Sequence, residues 1–225
     1  MSFLGGKMPT KTFFNLTQEK RDRILKAAEK EFARVPLYKA SISNIVKTAK
    51  IPRGSFYQYF EDKEDLYGFY FRLILESLQE GLVGAIYKNN GDLFKAIDKY
   101  FAFYLDQIVN GQYHSFYRNF FLNITIGNNG KQHGPGFNFQ HSERLKELRD
   151  QITQATDWKL LKVSGEKDIS TLMQLVMMMF FHSVAHYFND ATSNTDPKEL
   201  FEITLAEFKK NLNWLEFGAR KTEEE

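Results

Sequence analysis

The sequence predicts an all-α fold with a small N-terminal helical domain, residues 1–62, and a larger helical domain, residues 63–225. Three observations predict it. Apolar residues recur at three- and four-residue spacing along most of the chain. The alternating β-branched runs typical of strands are missing. Charge also changes sign: residues 1–63 carry 13 Lys/Arg and 6 Asp/Glu, whereas residues 64–225 carry 17 and 22.

The N-terminal elements follow from local signals. The first helix begins after Thr17, which is a favourable N-cap, and Pro36 ends it. Two short helices are predicted over about 41–49 and 53–59, and Lys50-Ile51-Pro52 breaks the chain between them.

The C-terminal elements are predicted in the same way. Asp62 caps a long helix that reaches about Tyr87, and Asp92 opens the next one, to about Val109. The Gly-rich segment 127–139 is predicted to be a loop. The remaining predicted helices are Tyr113 to Ile126, one resuming near Ser142, Ile169 to Phe188, and one opened by Asp196-Pro197 that runs to about Phe217.

Composition limits the class of protein. The chain of 225 residues has no cysteine, which excludes disulfides and thiolate metal sites and favours a reducing compartment. Its longest apolar run, Leu175 to Phe181, is far shorter than the ~20 residues that cross a bilayer, so we expect a cytoplasmic protein. A basic N-terminal domain suggests contact with a polyanion, although chance asymmetry would give the same charges.

Residues 41–60 have the lengths of a helix-turn-helix, in which one short helix braces another in the major groove of DNA. Phe56 and Phe60, four residues apart, would anchor the second helix to the core.

The other side of the second helix offers small and hydrogen-bonding groups. Arg53 is the best base reader, because a guanidinium can bond guanine O6 and N7 together, and Gln58 could read adenine. The full set of predicted DNA-binding residues is Ser43, Arg53, Gly54, Ser55, Tyr57, Gln58, Tyr59 and Lys63. Tyr57, Tyr59, Ser55 and Lys63 are predicted phosphate contacts, and the bland alternative is a helical subdomain with a polar surface.

Residues 17–66 resemble the N-terminal domain of the TetR family of bacterial transcriptional repressors. The resemblance rests on the run Gly54 to Phe60, on Asp62 to Leu66, and on Ala27-Ala28 and Phe32 upstream. It implies an all-α homodimer whose variable C-terminal domain binds a small molecule and then releases operator DNA. The sequence departs from the family where Lys50 replaces the usual turn glycine, where Pro52 replaces a small polar residue, and where Pro36 lies in the connection before the second helix.

Apolar seams on the last two helices favour dimerisation, because they repeat at coiled-coil spacing. Two such helices from each chain would form a four-helix bundle; alternatively, both seams face their own core. The predicted interface residues are Ile169, Leu172, Val176, Met179, Phe201, Leu205, Phe208, Leu212 and Leu215. The two recognition helices would then meet successive major grooves of a palindrome, about 34–36 Å apart.

An effector pocket is predicted from aromatic residues in the C-terminal domain, which suit a largely apolar small molecule. Its candidate lining residues are Phe103, Tyr104, Tyr113, Phe116, Tyr117, Phe120, Met178, Phe181, His182 and His186. We expect the effector to move the DNA-binding domain through the long helix from Lys63 to Tyr87.

No enzyme motif is present, and we expect neither a catalytic residue nor a cofactor. His182 and His186 have a spacing that could hold a metal, but a buried pair or a hydrogen bond to a ligand fits them better. The sequence therefore predicts a ligand-responsive repressor that binds a palindromic operator. The alternatives are a helical DNA-binding protein controlled by a protein partner instead of an effector, and an enzyme that uses the helical cavity.

Overall fold

The computed structural model describes residues 9–124, 143–163, 165–191 and 195–218. Over these ranges the chain forms ten α-helices and no strand, which confirms the predicted all-α fold. The helices are α1 Lys11–Phe14, α2 Gln18–Arg34, α3 Ile42–Ala49, α4 Arg53–Tyr59, α5 Lys63–Lys88, α6 Leu93–Asn110, α7 His114–Ile124, α8 Glu143–Ala155, α9 Gly165–Asp190 and α10 Pro197–Phe217.

The four predicted N-caps are confirmed. The side chains of Thr17, Asp62, Asp92 and Asp196 each accept a hydrogen bond from the backbone N–H three residues later, at 3.4, 2.7, 3.0 and 3.2 Å. Each bond satisfies one of the donors that a helix start leaves unpaired, so these residues fix where α2, α5, α6 and α10 begin.

Two elements differ from the prediction. Helix α1 was not predicted, because four residues are too few to show a helical period. Helix α9 begins at Gly165, before the predicted Ile169. The predicted loop 127–139 and the end of the predicted helix at Ile126 lie outside the described residues.

The chain divides into two compact units, one drawn from residues 1–78 and 107–146, the other from residues 79–106 and 147–225. Helix α5 contributes its first part to one unit and its second part to the other. The first unit therefore contains α1 to α4 and also α7. A functional boundary between residues 62 and 63 stays a prediction.

Aromatic side chains build the core of the first unit. The ring of Phe32 on α2 lies 4.7 Å from that of Tyr67 on α5, and Phe71 on α5 stacks on Phe120 of α7 at 4.2 Å between centroids. Rings of this size dominate the apolar area that a small domain can bury, so they hold α2, α5 and α7 together.

The second unit has its own aromatic centre. Phe101 on α6 stacks on Phe208 of α10 with centroids 3.5 Å apart, and Phe180 of α9 lies 5.2 Å from both rings. Three helices that are distant in sequence therefore meet at one cluster.

Candidate nucleic-acid interface

Helices α3 and α4 form the predicted helix-turn-helix. Lys50 ends α3 in the left-handed conformation, with φ 52° and ψ 48°, and the N–H of Ile51 bonds the carbonyl of Val46 at 3.1 Å. Glycine adopts this conformation most readily, which fits the turn glycine that the resemblance leads us to expect at this position. Lysine forms the turn at some conformational cost, and the departure leaves the motif intact.

The core side of the motif is held as predicted. Phe56 and Phe60 are both fully buried. Arg23 of α2 donates from Nε to the carbonyl of Ala49 at 2.8 Å, which satisfies the C-terminal end of α3. These contacts leave the opposite side of α4 facing solvent.

An N-terminal arm, Thr10 to Leu16, was missed by the sequence reasoning. Thr10 donates from its backbone N–H to the carbonyl of Tyr59 at 3.0 Å and from its hydroxyl to the carbonyl of Gln58 at 2.5 Å. Phe13 is buried, with its ring 4.9 Å from that of Phe60. The arm thus satisfies carbonyls at the end of α4 that the helix itself leaves unpaired. The available signal was the apolar pair Phe13-Phe14 ahead of the first predicted helix.

The predicted base reader is held in place before any DNA binds. Arg53 donates from Nη1 to the Ser43 hydroxyl at 2.7 Å and from Nη2 to the Tyr57 hydroxyl at 3.2 Å. Its guanidinium carbon also lies 5.8 Å from the centre of the Tyr57 ring. A guanidinium fixed on both sides loses less side-chain entropy on binding, because part of that entropy is already lost in the free protein.

The remaining predicted contacts differ in exposure. Gly54 and Gln58 are exposed, Ser55 is half-buried, and a Cβ added at Gly54 would meet nothing within 4 Å. Tyr59 is buried, because its ring packs beside that of Phe13. Its ring is therefore not part of the exposed face of α4. The half-buried Lys63 donates from Nζ to the carbonyls of Tyr38 and Ala40, at 3.2 and 3.1 Å.

Glu31 is a buried acid of this unit, and it fixes the start of α3. Its carboxylate accepts hydrogen bonds from Arg34 Nη2 at 2.7 Å, from the backbone N–H of Ser41 at 2.8 Å and from Asn44 Nδ2 at 3.2 Å. The bond from Arg34, and less strongly those from Ser41 and Asn44, lower the pKa of Glu31, although burial opposes them. Ser41 itself makes no side-chain cap, so Glu31 takes that role from the neighbouring helix.

The predicted effector residues are distributed over both compact units. In the first unit Phe116, Tyr117 and Phe120 are buried and Tyr113 is half-buried. Members of the second unit differ in exposure: Tyr104 is buried, Phe181 half-buried, and Phe103, Met178, His182 and His186 exposed. The pocket as a whole stays a prediction.

His186 pairs with the nearest acid on its own helix. Its Nδ1 lies 2.8 Å from Asp190 Oδ2, and its ring centroid lies 5.7 Å from that of His182. Among the residues that the structure describes, no three acidic or histidine side chains form a group that could hold a metal ion.

The predicted dimer seams lie partly inside the subunit. Leu172, Val176, Phe208 and Leu212 are buried within their own chain, where Phe208 belongs to the aromatic centre. The rest are half-buried: Ile169, Met179, Phe201, Leu205 and Leu215. Spacing identified the apolar positions, but only contacts with other helices, such as that of Phe208 with Phe101 on α6, show which of them face inward.

Other apolar side chains of α9 and α10 remain uncovered. Met178 is 68% exposed and Phe217 73% exposed, and Leu175, Ile203 and Trp214 are exposed as well. We refer to these five residues as the apolar face.

Helix α9 is long and apolar enough to cross a membrane, by length and composition only, and 22% of its most apolar window is buried. One such helix is weak evidence for a membrane span, and an uncovered interface helix gives the same pattern.

Comparison with known proteins identifies both parts of the chain. Residues 24–68 match the bacterial regulatory proteins of the TetR family, and residues 92–219 match the tetracycline repressor-like C-terminal domain. A stretch of 65 residues is 34% identical to the HTH-type transcriptional regulator HbdR of an Aromatoleum species; it spans 29% of this chain and 28% of that protein.

Solved structures share the fold. FadR of Bacillus subtilis, in complex with stearoyl-CoA, aligns with a TM-score of 0.58 and 16% identity over 88% of this chain and 99% of its own. FadR of Thermus thermophilus, a TetR-family repressor in complex with lauroyl-CoA, aligns with a TM-score of 0.58 and 18% identity over 90% of this chain and 96% of its own. Since the C-terminal match alone covers more than half of the sequence, the chain belongs to the TetR family of transcriptional regulators.

Proposed function

We propose that the protein is a repressor that binds a palindromic operator as a homodimer and leaves it when a small, largely apolar effector binds. The observation that carries the DNA-binding part is the position of Arg53. Its guanidinium is held between Ser43 and Tyr57 on the exposed side of α4, and the opposite side of α4 is anchored by Phe56. A rigid helix with a preset guanidinium suits bidentate reading of guanine.

The bare surface at Gly54 supports the same role. No neighbour within 4 Å requires glycine there, so packing within the chain does not account for it. Glycine lets another backbone or a base edge approach α4 closely. We infer that DNA fills this space, with Gln58 as a second base reader and with Tyr57 and Ser55 beside the phosphates.

Lys63 already has hydrogen-bond partners within the chain. Two of its three N–H donors already bond the carbonyls of Tyr38 and Ala40. We propose that Lys63 orients the connection between α2 and α3 and reaches a phosphate with its remaining donor.

The apolar face is proposed as the dimer surface. It leaves large side chains such as Met178, Trp214 and Phe217 in water on the same helix pair that carries the predicted seams. Burying apolar area is worth roughly 25 cal/mol per Å² before the entropy cost of association is subtracted, so covering this face with a second copy would favour dimerisation. Two recognition helices on one rigid dimer account for a palindromic operator.

For the effector, we propose a ligand with a long apolar part. Two proteins that share this fold are described with bound acyl-CoA, and aromatic side chains dominate the predicted lining. A gel shift with the selected operator described below, titrated with acyl-CoAs of different chain length, tests this. Release of the operator at micromolar acyl-CoA is expected; retention at all chain lengths would contradict this effector class.

The test of DNA reading starts from a pool of random duplexes, from which the wild-type protein selects its sites. A palindrome should be enriched. Arg53→Ala should weaken binding to it by about 1–3 kcal/mol and relax one base position in each half-site. Lys47→Ala, on the exposed side of α3, is the matched control, and it should lower affinity for every sequence alike. Unchanged selectivity of Arg53→Ala would exclude Arg53 as a base reader.

A further inference from the structure

The C-terminal end of α2 is closed by a residue from a distant helix. Asn119 of α7 donates from its Nδ2 to the carbonyls of Phe32 and Ala33, both at 2.9 Å. Carbonyls in the last turn of a helix have no partner within that helix, and Pro36 prevents the chain from supplying further N–H groups in register. Asn119 therefore supplies the hydrogen-bond donors that the residues following α2 cannot.

Helix α7 is fixed to the rest of the same compact unit by aromatic contacts. The ring of Phe116 lies 5.3 Å from that of Tyr67 and 5.1 Å from that of Tyr70, both on α5. Phe120, one residue after Asn119, stacks on Phe71 at 4.2 Å. A shift of α7 must therefore displace packed rings or move α2 with it.

The turn of α2 that Asn119 holds also carries Glu31, one residue before Phe32. Through its carboxylate, Glu31 bonds the N–H of Ser41 at 2.8 Å and the side chain of Asn44 at 3.2 Å. Ser41 is the residue before α3, and the helix-turn-helix begins there. The hydrogen bonds of Asn119 and those of Glu31, which meet on adjacent residues of the last turn of α2, thus connect α7 to the start of α3.

We propose that Asn119 is a positioning residue for DNA reading: by holding the last turn of α2, it sets the orientation in which Glu31 presents α3, and with it α4, to the operator. This inference rests on the proposed function. It assigns a role to a helix outside the predicted DNA-binding domain, and it offers a route to that domain besides the long helix α5.

The experiment compares two affinities of each variant. One is for the palindrome that the wild-type protein selects, and the other is for a random duplex of equal length at the same salt. Asn119→Ala removes the donors, and Asn119→Asp keeps the side-chain shape while replacing donors by acceptors. Ser115→Ala, at an exposed position of α7, is the matched control.

Asn119→Ala and Asn119→Asp should bind the selected palindrome about tenfold more weakly, because the released turn of α2 must be ordered on the operator, at a cost comparable to the bonds that held it. The affinity of Asn119→Ala for the random duplex should stay within about twofold, because non-specific binding depends on charge and not on helix orientation, and this substitution leaves the charge unchanged. Ser115→Ala should match the wild type in both. Urea unfolding of each variant reports the loss of stability separately.

Each other outcome has a definite meaning. If the ratio of the two affinities equals that of the wild type, whatever the change in stability, Asn119 is only structural and the inference is wrong. It is equally wrong if neither variant folds. A wild-type protein that enriches no palindrome would contradict the proposed function itself, which separates that failure from a failure of the inference.

Discussion

The helix-turn-helix and the α9–α10 pair differ in how far they bury their apolar side chains within the chain. Helices α3 and α4 bury their large apolar side chains within the chain, Phe56 completely, and expose polar groups around Arg53. Helices α9 and α10 bury Phe208 completely but leave Met178 and Phe217 mostly in water. The first pair buries its core side of α4 within the chain and has a polar outer surface, whereas the second leaves the five residues of the apolar face exposed.

This difference indicates which kind of partner each surface is suited to bind. A polar, basic face with a preset guanidinium is suited to a polyanion, because charge and hydrogen bonds dominate there. An exposed apolar face on two long helices is suited to another protein surface, because covering it removes apolar side chains from water. The following three changes test that contrast, from the largest expected effect to the smallest.

Phe56→Ala tests whether the helix-turn-helix depends on its own core. Removing a fully buried ring should lower the free energy of unfolding by about 3–5 kcal/mol, from lost burial and from the cavity left behind. Tyr57→Ala, next along α4 and exposed, should change it by less than about 0.5 kcal/mol. Urea unfolding measures both, and equal losses would show that α4 is not anchored through Phe56.

Met178→Glu, combined with Leu175→Glu, tests the apolar face. Two carboxylates placed in a buried interface should weaken dimerisation by at least about 2 kcal/mol, or roughly 30-fold in Kd. Analytical ultracentrifugation measures this against Gln154→Glu, an exposed position on α8. A double variant that stays dimeric at the wild-type Kd would place the interface elsewhere.

Glu31→Gln tests the link between α2 and α3 through pH. The pKa of Glu31 is lowered from its ordinary 4.5, chiefly by the hydrogen bond from Arg34, so its charged form stabilises the folded state above pH 4.5. That contribution is lost as pH falls below 4.5 through the lowered pKa. The wild type should therefore be more stable than the variant at pH 7, by on the order of 1 kcal/mol, and the gap should close in acid.

Urea unfolding at pH 7, 5, 4 and 3 follows that gap. Glu207→Gln, at an exposed position of α10, is the control for the removal of one surface carboxylate. A Glu31→Gln gap that is constant between pH 7 and pH 3 would contradict the role of the charge.

Local patterns predicted most of the fold because the deciding groups are close in sequence. An N-cap such as Asp196 bonds an amide three residues away, and the break after α3 needs only Lys50 and its neighbours. The pairing of Phe56 with Phe60 on one face of α4 follows from helical spacing in the same way.

What the sequence missed depends on contacts between distant residues. Phe13 is fixed by Phe60, and Phe208 is turned inward by Phe101, more than a hundred positions earlier. Tyr59 has the polar tip of a phosphate contact, but the N-terminal arm covers its ring. Periodicity finds an apolar face; it does not say which chain or element covers that face.

The open space beside Gly54 has a consequence for evolution. Positions 53, 54 and 58 of α4 are exposed, while the contacts that hold the helix run through Phe56, Tyr59 and the arm at Thr10. The residues proposed to read DNA and the residues that support the helix are therefore separate sets on α4. A descendant protein can acquire a new operator by substitution on the exposed side while the fold retains its stability.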